Sequence, residues 1–112
     1  WNLAADPENG PHTSNGGCTM CQGAITIDGD KVTRNLAYYT IAHASKFVRP
    51  GSVRIVSSES DVLPNVAFRT PKGKKVLIVA NISPDSQKFS VHYHGKTFTS
   101  DLGAGAVATY LW

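Results

Sequence analysis

The pair Pro50-Gly51 separates two kinds of hydrophobic order, and this change of period constrains the fold more than any other feature. Before it, Ala37, Ile41, Ala44 and Val48 recur at helical spacing, with Leu36, His43 and Phe47 on neighbouring rows. Asn35 reads as the N-cap, and a helix over residues 36–48 is expected to stop at Pro50-Gly51. After it, apolar residues alternate with polar ones: Val53 and Ile55, Val66 and Phe68, the run from Val76 to Ile82, then Phe89, Val91 and Tyr93, and finally residues 107–112. Turn-forming residues fall between them at 70–74, 83–85, 94–96 and 103–105. Short alternating strands punctuated this way predict an antiparallel β-sandwich.

The first half reads differently. Residues 1–5 suggest a short buried strand, and residues 6–17 are nearly all turn formers, a loop length usually reserved for function. Residues 24–33 suggest a small hairpin turning at Asp28-Gly29-Asp30, with Ile25 and Ile27 on one face. The expected fold is therefore mainly β, a strand-loop-hairpin-helix segment (1–50) followed by a β-sandwich (51–112). At 112 residues the chain has room for one compact domain of ordinary size.

Composition excludes several classes. Four Phe, four Tyr and two Trp supply the buried area that disordered chains lack. No apolar run approaches the ~18 residues of a membrane helix, so no membrane span is expected. Charged residues are 17% of the chain, which leans toward a secreted or periplasmic protein. The net charge is +3, but only Lys72, Lys74 and Lys75 cluster, around Gly73. With no aromatic residue interleaved, they read as a solvated hairpin tip and not as a nucleic-acid contact.

Cys18 and Cys21 leave three readings open. A redox Cys-x-x-Cys enters a helix, whereas Gly23 and a strand follow here. Zinc needs two more ligands, and His12 and His43 match no finger or ribbon spacing. A local disulfide that fixes the shape of the loop is the default. His92 and His94 would share one face of a strand, with no third metal ligand nearby. The eight carboxylates fall mostly in expected turns, and no two are placed as an acid/base pair. No metal or cofactor is expected.

The segments Trp1-Asn2-Leu3-Ala4, Gly10-Pro11, Tyr38-Tyr39, Ala42-His43-Ala44-Ser45-Lys46-Phe47-Val48-Arg49-Pro50-Gly51 and Arg54-Ile55 together resemble glycoside hydrolase family 30, which holds the glucosylceramidases and related β-glycosidases. Val66-Ala67-Phe68, Pro71-Lys72-Gly73, the run from Val76 to Asn81 and Ala108-Thr109-Tyr110-Leu111-Trp112 extend the resemblance over essentially the whole chain. It implies that residues 1–50 are the last strand, loop and helix of a (β/α)8 barrel, and 51–112 the side sandwich. Both catalytic Glu residues of this retaining family would precede Trp1, which leaves no catalytic residue here. Trp1 would stack on the sugar and Asn2 lend a polar contact. The Cys pair looks like the bacterial or fungal branch and not the animal one. A carbohydrate or glycolipid would be met through the parent barrel, and the chain alone would self-associate through uncovered barrel residues or sheet edges. The alternative is a free-standing sugar-binding module, with Tyr93, Phe98 and Tyr110 as its aromatic platform.

Overall fold

The computed structural model describes residues 2–10, 18 and 20–112, and the chain divides into two compact units, Trp1–Ser45 and Lys46–Trp112. In the first unit, β1 (Ala4–Ala5) pairs in parallel with β2 (Ile25–Asp28), which pairs antiparallel with β3 (Lys31–Arg34). Asp28 faces Lys31 across a two-residue turn, where Gly29 takes φ 55°. Gly23 has no room for a side chain: a Cβ there would lie 2.8 Å from the Ile25 carbonyl oxygen and 2.9 Å from the Ala5 nitrogen. This close approach lets the Ala24 and Ile25 amides donate to the carbonyls of Asn2 and Leu3.

The helix α1 spans Leu36–Phe47, one residue shorter than expected. Its start gives Asn35 a second role. Asn35 caps with its backbone, its carbonyl accepting from Tyr38 N, while its side-chain amide donates to the Gly23 carbonyl (2.8 Å) and Thr26 Oγ1 (2.9 Å). Asn35 thus secures the hairpin as well as the helix start. No residue of α1 is fully buried; Leu36 is 81% exposed and Phe47 half-buried.

The second unit holds β4 (Val53–Ile55), β5 (Asn65–Arg69), β6 (Lys75–Ala80), β7 (Gln87–Tyr93), β8 (Lys96–Leu102) and β9 (Val107–Leu111). Four of them form an antiparallel sheet in the order β4-β5-β6-β9, and β7 and β8 form a hairpin. Register puts Ile55, Ala67, Leu77 and Tyr110 in one row, with Val79 opposite Ala108 in the next. Ala67, Leu77, Val79 and Leu102 are the buried centre, against which Phe89 and Val91 of the hairpin pack. Two antiparallel layers around one core make the β-sandwich that the alternation predicted.

The strand β8 is additional to the expected set. Its inward row is Phe98, Ser100 and Leu102, and the central Ser breaks the apolar alternation. Ser100 is accommodated because its hydroxyl lies 2.9 Å from that of Tyr110. Asn81, just beyond β6, is 1% exposed and joins the loops at that end. Its amide nitrogen donates to the carbonyls of Asp85 (2.8 Å), Leu102 (2.8 Å) and Gly103 (3.0 Å), and its Oδ1 accepts from the amide and hydroxyl of Ser83. Such full pairing is what a buried amide requires.

Candidate functional site

In the first unit, the described candidate residues Asn2, Asp6, Cys18 and Cys21 lie before or within the segment between β1 and β2. Cys18 and Cys21 are joined as a disulfide, which closes the open question over this pair in favour of the structural bridge. The side-chain amide of Asn2 donates to the Cys21 carbonyl at 3.4 Å, so this candidate sugar contact is also a tie to the bridged segment. Trp1, His12 and the middle of the loop lie outside the described residues. At the start of the loop, the Asp6 carboxylate accepts from the amides of Glu8 (3.1 Å) and Gly10 (2.6 Å). Asp6 is thereby spent on local turn geometry, as Asp commonly is.

Two concavities of the sandwich are lined by candidate residues. One, of about 500 Å³, runs beside the core between the segment after β4 and the strand β7, lined by Ile55, Leu63, Leu77, Val91, Tyr93 and Trp112 among others. The second, of about 400 Å³, lies where the turn 71–74 meets the β7–β8 turn and Trp112. Sequence reasoning kept its parts separate, because Lys72 and Lys74 stand about twenty residues from Tyr93 and further still from Trp112.

The aromatic residues form a connected set. Tyr110 packs against Phe89 (5.8 Å between ring centres) and Phe98 (5.4 Å), and Trp112 against Phe98 (5.5 Å) and Tyr93 (5.9 Å). Phe98 and Tyr110 are consequently parts of the sandwich interior, which removes them from an exposed sugar platform. Tyr93 and Trp112 stand at the rim and line both concavities.

The histidine pair does not share a strand face. His92 lies in β7 on the exposed side, its Nδ1 2.9 Å from Thr97 Oγ1. His94 sits in the hairpin turn at φ 46°, followed by Gly95 at φ 77°. Two successive left-handed residues are the geometry of a tight two-residue hairpin, and they turn His94 out of the strand period. Its ring meets that of Tyr93 at 4.3 Å. Among the described residues no three His, Cys, Asp or Glu side chains gather as metal ligands, and no helix is long and apolar enough to cross a membrane.

The profile of the Glycosyl hydrolase family 30 beta sandwich domain matches residues 51–110. Among characterised proteins, the chain is 30% identical over 97% of its length to the endo-1,6-beta-D-glucanase BGN16.3 of Trichoderma harzianum, of which it spans 23%. It is 33% identical over its whole length to the lysosomal acid glucosylceramidase of Mus musculus, of which it spans 22%. Among solved structures, SrfJ from Salmonella typhimurium superposes with a TM-score of 0.90 at 31% identity, covering 100% of this chain and 25% of its own. The endo-beta1,6-glucanase BT3312 superposes at 0.87 with 33% identity, again over 100% of this chain and 26% of the other. The chain thus spans about a quarter of the length of the proteins it matches.

Proposed function

Because this chain belongs to glycosyl hydrolase family 30 and includes the family's β-sandwich domain, we propose that it is the C-terminal portion of a retaining β-glycosidase, bracing a catalytic barrel whose acid/base and nucleophile lie outside it. One observation carries the reading: the chain aligns end to end with family 30 proteins yet covers only about a quarter of them. Retaining glycosidases work through two carboxyl groups roughly 5 Å apart across the scissile bond. Six of the eight carboxylates of this chain occupy turns, an exposed loop or an outward strand position. Asp28 and Asp30 belong to a hairpin tip, Glu59 and Asp61 to an exposed loop, Asp101 to the outward row of β8, and Asp6 to its own turn.

On this reading, residues 1–50 are the closing strand, loop and helix of the barrel, and Trp1 with Asn2 is the part of the sugar pocket that the segment contributes. Cys21, bridged to Cys18, accepts a hydrogen bond from the Asn2 side chain, which supports a role for the bridge in shaping that pocket. The bond cleaved by the whole enzyme is a β-glucosidic or related O-glycosyl linkage. The endo-1,6-glucanases BGN16.3 and BT3312 among its relatives favour a β-glucan over a glucosylceramide. A secreted or periplasmic location agrees with the disulfide. Separated from its barrel, the segment is expected to self-associate, since β4, β9 and the hairpin leave strand edges without a partner among the described residues.

Two assays test the proposal. The purified chain should not hydrolyse an aryl β-glucoside or a β-1,6-glucan, and turnover that persists in the Glu8→Gln and Glu59→Gln variants would overturn it. In the whole enzyme, Trp1→Ala should lower kcat/KM on a β-glucan without moving the melting temperature. Unchanged kinetics would remove Trp1 from the pocket.

A further inference from the structure

The second concavity of the sandwich concentrates charge to a degree the sequence does not suggest. Lys72, Lys74, Lys75 and Lys96 line it together with His94, Tyr93 and Trp112, and no aspartate or glutamate side chain is among the lining residues. These four are drawn from eleven lysines and arginines; the remaining seven face eight aspartates and glutamates, so the rest of the chain is close to neutral. Like charges crowded into one recess repel each other, and they focus a positive potential that a bound anion would relieve.

The recess is held by backbone geometry. Gly73, at φ 80°, turns the chain between Lys72 and Lys74, and the Gly73 amide closes the turn on the Thr70 carbonyl at 2.9 Å. Trp112 is fixed against Lys75 by reciprocal backbone bonds, Lys75 N to Trp112 O at 2.9 Å and Trp112 N to Lys75 O at 3.3 Å. On the opposite wall, the His94-Gly95 turn sets Lys96 beside Tyr93. Lys75 is itself anchored, its Nζ donating to the Gly73 carbonyl at 2.6 Å and standing 5.3 Å from the centre of the Tyr93 ring. Lys72, Lys74 and Lys96 are exposed, and Trp112 remains 36% exposed at the rim.

We propose that this recess binds an acidic saccharide, a pyranose chain bearing carboxylates, with the sugar face against Trp112 and the carboxylates among Lys72, Lys74 and Lys96. The apolar C–H face of a pyranose complements an aromatic ring, and ammonium groups around that ring select an anionic sugar over a neutral one. A volume of about 400 Å³ is within the range of roughly 300–1,000 Å³ usual for small-ligand sites. No arginine lines the recess, and the planar bidentate fork that favours phosphate is absent from its lining. The recess is also a local concavity and not a basic groove able to follow a nucleic-acid backbone across several nucleotides. The choice of a saccharide rests on family membership, and the recess shares no residue with the pocket assigned to Trp1 and Asn2.

The full 112-residue chain should be tested by affinity electrophoresis and titration calorimetry against polygalacturonate, a neutral β-1,6-glucan and a single-stranded oligodeoxynucleotide. Polygalacturonate should retard the chain, less so as salt rises, and the neutral glucan should not. The double variant Lys72→Gln/Lys96→Gln changes two exposed side chains on opposite walls and should weaken polygalacturonate binding at least tenfold with an unchanged melting curve. Trp112→Leu should weaken it comparably; should that variant fail to fold, the lysine pair decides. Failure of polygalacturonate to bind, equal retention on the neutral glucan, undiminished binding by the lysine variant, or tighter binding of the oligonucleotide would each overturn the proposal. The assay reads binding without turnover, so its failure is distinct from failure of the hydrolase reading.

Discussion

The hydroxyl of Ser100 in β8 lies 2.9 Å from the hydroxyl of Tyr110 in β9, so one hydrogen bond joins the hairpin layer to the four-stranded layer through the aromatic interior. Its partners are held by packing: Phe89 and Phe98 bracket the Tyr110 ring. Removing either hydroxyl strands the other. Tyr110→Phe and Ser100→Ala should each destabilise the chain by about 1 kcal/mol, and the double variant should cost less than their sum. Chemical denaturation of the three variants measures it, and strict additivity would show the hydroxyls to be uncoupled.

Asn81 should be among the least replaceable residues of the sandwich. Its amide serves three carbonyls and its oxygen takes two bonds from Ser83, all at 1% exposure. Asn81→Ala is expected to cost about 3 kcal/mol, because buried carbonyls lose their donor. Asn81→Asp should cost more, since it turns a carboxylate oxygen toward those carbonyls. The midpoints of thermal or urea unfolding rank the two.

Leu77, 7% exposed, stands in the row between Ala67 and Tyr110. Leu77→Ala should cost about 2–5 kcal/mol, the range for a buried Leu whose cavity cannot collapse. Phe47 is only half-buried, so Phe47→Ala should fall well short of that value. Equal losses at the two positions would place the core nearer the helix end than the packing indicates.

Reduction should add two hydrogens to the intact mass. The Cys18–Cys21 loop is so short that its closure contributes about 2 kcal/mol at most, and a double Cys→Ser variant should lose no more than that. If that variant unfolds at room temperature, the bridge holds more than its own loop.

Self-association is the remaining expectation. Leu36 (81% exposed), Tyr39 (53%) and Val53 (56%) offer apolar area alongside the open strand edges. Light scattering at micromolar concentration should report a dimer or larger species. A stable particle of 12.0 kDa would show that the chain protects its own edges.

The strands legible from the sequence are those whose inward rows are wholly apolar. Leu77 and Val79 in β6 alternate cleanly, and so do Phe89 and Val91 in β7. The strand β8 escaped because its inward row passes through Ser100, whose burial makes sense only once Tyr110 stands opposite. Asn81 looks like an ordinary turn former after an apolar run, and its burial depends on the Leu102 and Gly103 carbonyls, about twenty residues away. The pairing expected of His92 and His94 assumed a strand period that the left-handed turn at His94-Gly95 interrupts. The lysines of the 71–75 turn read as solvated because the aromatic rings beside them, Tyr93 and Trp112, come from distant parts of the sequence. Local pattern reveals which strands exist; contacts distant along the chain decide what their ends do.

The sheet order β4-β5-β6-β9 has a consequence for a chain emerging from the ribosome. The strand β6, Lys-Val-Leu-Ile-Val-Ala, gains β5 early but waits for its other neighbour until the β7–β8 hairpin and then residues 107–111 have been made. During that interval a six-residue, strongly β-forming segment has one unpaired edge, the kind of surface that recruits other nascent chains. A premature stop between the hairpin and Val107 would make that interval permanent. Such truncated chains should burden chaperones and enter aggregates through that unpaired edge.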